Sequence, residues 1–179
     1  MMLIPSLDQA LLFAAQRHAG TLRDGQDPLP YITHVSEVVS NLRYVGQVTD
    51  PVLLTAAALH DLLEQESATE AEIKKQFGKE VLALVKELTR SEPKPADTDG
   101  LSRDEIWNLR AELLRQDVLK MSAAAQSIKL ADRLANLMEA KREKSGKKLR
   151  RYKAATAALL VAIPEAVNPS LWRAIKKKL

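Results

Sequence analysis

Apolar residues return every three to four positions along most of the chain, and strand-like alternation is scarce, so the pattern predicts helices almost throughout. Ser6 and Gln9 form a capping box that opens a first helix, with Leu7, Leu11, Ala14, Ala15 and His18 on one face. The stretch 20–30, rich in glycine, proline and aspartate, reads as a long loop. Val35, Val38, Val39 and Leu42 predict a second helix that ends near Gly46. Asp50 before Pro51 is an N-cap with proline at the first helical position. The helix that follows is apolar on every side from Val52 to Leu59, the mark of a helix at the centre of a fold. Thr69 with Glu72 and Ser102 with Glu105 repeat the capping-box pattern. The first opens a helix stopped at Phe77-Gly78, the second a helix bearing Ile106, Leu109 and Leu113. Between them lies a helix with Val81, Leu84, Val85 and Leu88, then a polar segment, 91–100, expected to be a flexible loop. Ser122 caps a long helix carrying Ile128, Ala131, Leu134, Ala135 and Met138. Leu149, Tyr152, Thr156, Leu159 and Ile163 mark another that Pro164 ends, and Asn168-Pro169 starts a short last one. The chain shows no internal repeat and no heptad run. The expected architecture is all-α: a single domain over 1–179, a bundle of eight or nine helices.

Composition narrows the chemistry. A chain of 179 residues is long enough to bury a full core without staples. It contains no cysteine, which excludes thiolate nucleophiles and cysteine–zinc sites. The first residues lack the basic start and apolar run of a signal peptide, and no segment holds about 18 apolar residues in succession. A cytoplasmic protein with no membrane partner is therefore expected. Net charge is +4, from 27 Lys and Arg against 23 Asp and Glu, with the excess gathered in 141–153, a basic connection and helix start, and at Lys176, Lys177 and Lys178. Such runs are either solvated faces or attractors of anions. Aromatic residues make up only 4% of the chain, which leaves little for base stacking and argues against a nucleic-acid partner. Composition does not reach the oligomeric state.

Chemistry concentrates at four positions. His60 and Asp61 stand at the end of the most apolar helix, where burial without compensation costs several kcal/mol. Either each is an internally hydrogen-bonded core residue or a divalent cation compensates both. His34 opens the second helix, and Asp132 interrupts an apolar face, with Asn136 four residues on and on the same side. His34 could equally be a helix-start hydrogen bonder, and Asp132 a partner for Lys129 or Arg133. Together the two imidazoles and two carboxylates form an N and O donor set suited to Mn²⁺, Fe²⁺ or Zn²⁺.

In order and spacing, His34, His60-Asp61 and Asp132 resemble the HD superfamily of metal-dependent phosphohydrolases. The chain is most similar to the small alarmone hydrolases related to the hydrolase domain of the RelA/SpoT proteins. The resemblance runs over about 7–160 and is carried by Ala14-Ala15-Gln16-Arg17-His18-Ala19-Gly20, Arg23 and Pro30-Tyr31-Ile32-Thr33-His34. It continues through Ala56-Ala57-Ala58-Leu59-His60-Asp61-Leu62-Leu63-Glu64, Phe77-Gly78 and Ile128-Lys129-Leu130-Ala131-Asp132-Arg133-Leu134-Ala135-Asn136-Leu137. It implies a helical bundle that removes pyrophosphate from the 3′ position of ppGpp and pppGpp with manganese. His34, His60, Asp61 and Asp132 would be the metal ligands. The catalytic acidic couple of the family falls at Glu64 and Gln65. Glu64 would take the proton of the attacking water, while Gln65 replaces the usual aspartate and can only hydrogen-bond. Arg23, Asn136 and Tyr152 match substrate-binding positions.

Two departures fall in the base-facing loop: Asp24 stands where lysine is usual, and Thr21 where glutamine is. They are expected to retune recognition, toward an adenine alarmone such as ppApp or pppApp. The alternatives to an alarmone hydrolase are an HD phosphohydrolase acting on NADPH or a dNTP, and a nucleotide-binding module with weak catalysis.

Overall fold

A computed structural model of the chain describes residues 6–25 and 27–179. Residues 1–5, read above for a leader, and Gln26 of the loop lie outside the described residues. The all-α expectation holds. Among the described residues ten α-helices follow in order: α1 (Leu7–Arg17), α2 (Ile32–Ser40), α3 (Pro51–Ala58), α4 (Glu70–Phe77), α5 (Lys79–Leu88), α6 (Pro95–Thr98), α7 (Arg103–Lys120), α8 (Ala123–Glu143), α9 (Gly146–Ala162) and α10 (Pro169–Lys176). The helix beyond the expected nine is α6, a single turn inside 91–100, where Pro95 presets the first position and Asp97 accepts from the Lys94 amide.

Local signals place the boundaries. Ser6, Asp50, Thr69, Ser102, Ser122 and Asn168 each accept a backbone N–H of the helix they precede, and at Thr69 and Ser102 the reciprocal glutamate bond is also made. The second helix does not stop cleanly. It widens into a π-helical turn, Asn41–Val45, whose Asn41 side chain reaches the Ala131 carbonyl of α8.

The core lies where α3 and α8 meet the inner faces of α1, α2, α5 and α10. Ala56 to Leu59, Val35, Val38, Leu42, Ile73, Val81, Val85, Ile128, Leu130 and Leu137 are fully buried there. Alanines on α3 let the neighbouring helices approach closely, which explains why this short helix can sit in the middle. The face of α1 is Ala10, Phe13 and Ala14, continued by His18, and Ala15 turns partly outward. Helix α7 is different. Ile106, Leu109 and Leu113 are only half-buried, because α7 packs outside α9, with Asp104 paired to Lys147 and Arg151. The basic run 141–153 is mostly helix: α8 ends at Glu143 and α9 begins at Gly146, so the connection itself is Lys144 and Ser145.

Asn168 ties the far end together. Its amide donates to the Gly46 carbonyl (3.1 Å) and the Ser127 hydroxyl (3.1 Å), while its carbonyl accepts the Leu171 amide. A side chain at Gly46 would collide with the Leu42 carbonyl and Leu171, so glycine is required at that turn. At the opposite end, loop 20–30 is pinned by a short antiparallel bridge between Leu22 and Pro30, which aims Arg23 at α8.

Candidate metal and nucleotide site

Four segments far apart in the chain converge at one end of α3. The helix ends at Ala58, and His60 and Asp61 lie in the turn that follows, both buried. The Nδ1–H of His60 donates to the Ala57 carbonyl (2.9 Å), which leaves the Nε2 lone pair facing the cluster. His34, in the first turn of α2, and Asp132, mid-way along α8, complete a set of three. One ligand atom from each of His34, His60 and Asp132 lies within 4.8 Å of the other two. Asp132 Oδ1 is 3.4 Å from His34 Nε2 and 3.9 Å from His60 Nε2, and Oδ2 is 3.1 Å from Lys129 Nζ. The Asn136 amide donates to Oδ1.

Asp61 is beside this set, with Oδ2 3.9 Å from His60 Nε2 and accepting from the Gln65 amide at 3.0 Å. Its Oδ1 lies 3.3 Å from His18 Nε2, and that oxygen is buried without a counted hydrogen bond among the described residues. His34 Nδ1 is likewise unpartnered there. His34, His60 and Asp132, two imidazoles and a carboxylate gathered this closely, fit one divalent cation, and Asp61 lies beside them.

Electrostatics keep the carboxylates charged. Burial would raise the pKa of Asp61, but His60, His18 and the Tyr31 hydroxyl outweigh it and hold the group well below the usual carboxylate range. Burial is overcome in the same way at Asp132, by Lys129, His34 and His60. Tyr31, half-buried and facing Asp61, has its pKa pushed up and keeps its proton. Its ring stacks on His18 (centroids 4.6 Å) and meets His34 edge-on (5.5 Å).

The cluster forms one wall of a cavity of about 260 Å³, to which Glu64, Arg90, Lys129 and Arg133 contribute charged groups. Glu64 Oε1 is 3.1 Å from an Arg90 guanidinium nitrogen. One N–H of the Gln65 amide donates to Asp61, so this residue braces a candidate ligand while also lining the cavity. A second cavity, about 300 Å³, shares Tyr31, Asn136 and Tyr152 with the first and adds Arg23, Asp24 and Glu139. All three expected substrate residues, Arg23, Asn136 and Tyr152, therefore line adjoining space. Burial raises the pKa of Tyr152, partly offset by Arg133, whose guanidinium lies 5.2 Å from the ring centre.

Sequence reasoning left out His18, Tyr31, Arg90, Lys129 and Arg133 as site residues. The first two carried a readable signal, since both sit inside the stretches that resemble the family and His18 falls on the apolar face of its helix. Lys129 and Arg133 were legible only as charges on a buried helix, and Arg90 not at all.

These elements define the class of protein. The chain belongs to the HD-domain family, whose model, described as HD domain, matches residues 10–161. It is similar to the guanosine-3′,5′-bis(diphosphate) 3′-pyrophosphohydrolase MESH1 of Drosophila melanogaster, 34% identical over 131 residues, or 73% of this chain and 67% of that protein. The MESH1 of Xenopus tropicalis is 35% identical over 134 residues, 75% of this chain and 69% of that one. Among solved structures, one described as a metazoan ortholog of SpoT that hydrolyzes ppGpp superimposes with a TM-score of 0.82. It is 27% identical and matches 99% of this chain and 96% of its own. No described helix is long and apolar enough to cross a membrane.

Proposed function

We propose that the chain is a metal-dependent 3′-pyrophosphohydrolase of alarmone nucleotides, using His34, His60, Asp61 and Asp132 as ligands of one Mn²⁺. The observation that carries the reading is the continuity of two cavities: a cation-ready cluster with Glu64 on one side, and a nucleoside-sized space at Arg23, Asn136 and Tyr152 on the other. The names of the MESH1 relatives support the substrate, and the N and O donor set supports manganese, iron or zinc over softer metals. A substrate of this kind fits the cytoplasmic location expected from the sequence.

When bound, a divalent cation polarises a phosphoryl oxygen and acidifies water. The protein supplies the rest. Glu64, oriented by Arg90, takes a proton from the water that attacks the phosphorus attached to the ribose 3′ oxygen. The new bond joins the water oxygen to that phosphorus, the bond from phosphorus to O3′ breaks, and O3′ regains a proton. The first cavity holds three cations, Arg90, Lys129 and Arg133, against three carboxylates, Asp61, Glu64 and Asp132. A bound dication therefore leaves it net positive, matched to the charge on the departing pyrophosphate. Gln65 keeps Asp61 in place and leaves proton transfer to Glu64.

Purified protein incubated with Mn²⁺ and ppGpp should yield GDP and pyrophosphate on ion-exchange chromatography. Orthophosphate from NADPH, cleavage of a dNTP with ppGpp left intact, or nucleotide binding without turnover would overturn the reading.

A further inference from the structure

His18 closes α1 and lines neither cavity, yet its side chain is only 1% exposed and ends against a candidate metal ligand. Its main chain is fixed on both sides. The amide donates to the Ala14 carbonyl (2.9 Å), and the carbonyl accepts from the Thr21 amide (2.9 Å). The ring lies against Tyr31, with centroids 4.6 Å apart and planes 37° from parallel. Neither ring nitrogen has a counted hydrogen bond among the described residues, and Nε2 sits 3.3 Å from Asp61 Oδ1, an oxygen equally without one. A buried imidazole and a buried carboxylate oxygen are each costly when left single, and here they face each other.

We infer that His18 is a positioning residue for Asp61: its Nε2–H donates to Oδ1 and holds the carboxylate so that Oδ2 stays with the cation-binding group. The inference rests on the metal site of the reading above and is independent of its substrate. A neutral imidazole carries one proton. On Nε2 that proton meets a charged acceptor, whereas on Nδ1 it would set the Nε2 lone pair against a carboxylate oxygen, so the contact selects the Nε2–H tautomer. Asp61 is then held at both oxygens. Oδ2, 3.9 Å from His60 Nε2, takes one N–H from Gln65 at 3.0 Å and keeps acceptor capacity for an ion, while Oδ1 is turned toward α1. This matters because Asp61 lies beside the close group of His34, His60 and Asp132 and not within it. A carboxylate at the margin of a donor set contributes only as far as its rotation is fixed, and hydrogen-bonding partners of this kind fix it. The Tyr31 ring, packed on the imidazole, keeps His18 from swinging away.

Titration calorimetry of the metal-stripped protein with Mn²⁺ tests this on two variants. H18F keeps an aromatic ring against Tyr31 but has no donor. H18Q loses the ring but carries an amide nitrogen as many bonds from Cα as the imidazole Nε2. H18F should bind Mn²⁺ about 10–100-fold more weakly, the usual worth of such a partner, and H18Q should recover most of that loss. Assayed on ppGpp, H18F should need more Mn²⁺ for its half-maximal rate by the same factor, with the rate at saturating Mn²⁺ changed less. If H18F does not fold, H18N, whose shorter amide stops at the place of Nδ1, should show the same loss. Wild-type Mn²⁺ affinity in the donor-less variant, or equal losses in H18F and H18Q, would overturn the inference and leave His18 as packing. Variant losses of the expected pattern in a protein that releases no pyrophosphate from ppGpp would remove the alarmone reading and uphold this one. A wild type that binds neither Mn²⁺, Fe²⁺ nor Zn²⁺ would end both.

Discussion

Two neighbouring side chains show how little separates a structural role from a chemical one. Glu64 and Gln65 follow the His60-Asp61 pair in the same tight turn, yet they point their functional atoms differently. The Gln65 amide donates to Asp61 Oδ2, while the Glu64 carboxylate lines the cavity and meets Arg90. A glutamate of the same reach would set a second carboxylate against Asp61 Oδ2, whereas the glutamine amide donates to it. That division leaves a single proton acceptor beside the candidate metal ligands. Replacing Glu64 with Gln preserves shape but removes the base and the charge that pairs with Arg90. The kcat for pyrophosphate release from ppGpp should fall by about 10²–10⁴-fold, the usual worth of a general base. Steady-state kinetics showing a KM changed less than kcat would match this role, whereas an unchanged kcat would return Glu64 to the surface chemistry of Arg90. His60 makes the complementary point, since a single backbone carbonyl, Ala57, fixes its tautomer and hence which nitrogen can ligate.

Elements were legible where their ends carry chemistry. Asp50-Pro51, Thr69 with Glu72, Ser102 with Glu105, Ser122 and Asn168 set helix starts that the structure reproduces, because each satisfies an otherwise orphan amide. The π-helical turn at Asn41–Val45 was not legible, since it follows from packing against Ala131 and not from local preference. Nor was the outer position of α7: an apolar stripe of Ile106, Leu109 and Leu113 says that one side is covered, not how well. The four ligand candidates were readable as anomalies, polar residues in apolar surroundings, but the basic wall of Arg90, Lys129 and Arg133 needed the fold. Gly78 illustrates a boundary set by backbone alone. It both ends α4 and begins α5 at φ 91° and ψ 171°, a conformation essentially restricted to glycine. A Cβ there would meet nothing within 4 Å. The Gly78→Ala variant should therefore lose about 1–3 kcal/mol purely from backbone strain, read as a lower urea midpoint with an unchanged slope. A loss below about 0.5 kcal/mol, the ordinary surface range, would mean that the α4–α5 joint relaxes freely.

At the scale of the molecule, the site is also a fastening. His34 belongs to α2, His60 and Asp61 to the turn after α3, Asp132 to α8, and His18 closes α1, so a cation among the first four would join segments nearly a hundred residues apart. The unfolded chain holds these groups far from one another and cannot match that affinity. Binding must then favour the folded state, by about 2.7 kcal/mol when the free ion is at a hundred times its dissociation constant. For a domain of this size, each kcal/mol moves the melting temperature by roughly 2–4 °C, so metal-stripped protein given Mn²⁺ should melt roughly 5–10 °C higher. Asp132→Asn keeps the volume and the contact with Asn136 but removes the charge the ion needs, and the shift should shrink to a small fraction in that variant. Glu64→Gln should retain it, because Glu64 pairs with Arg90 and is not among the three grouped donors. Scanning calorimetry of the three proteins across a Mn²⁺ series separates these outcomes. A wild-type chain whose melting temperature ignores manganese, iron and zinc alike would mean that the imidazoles and carboxylates at the end of α3 are held by protein contacts only, and the hydrolytic chemistry assigned to them would go with the ion.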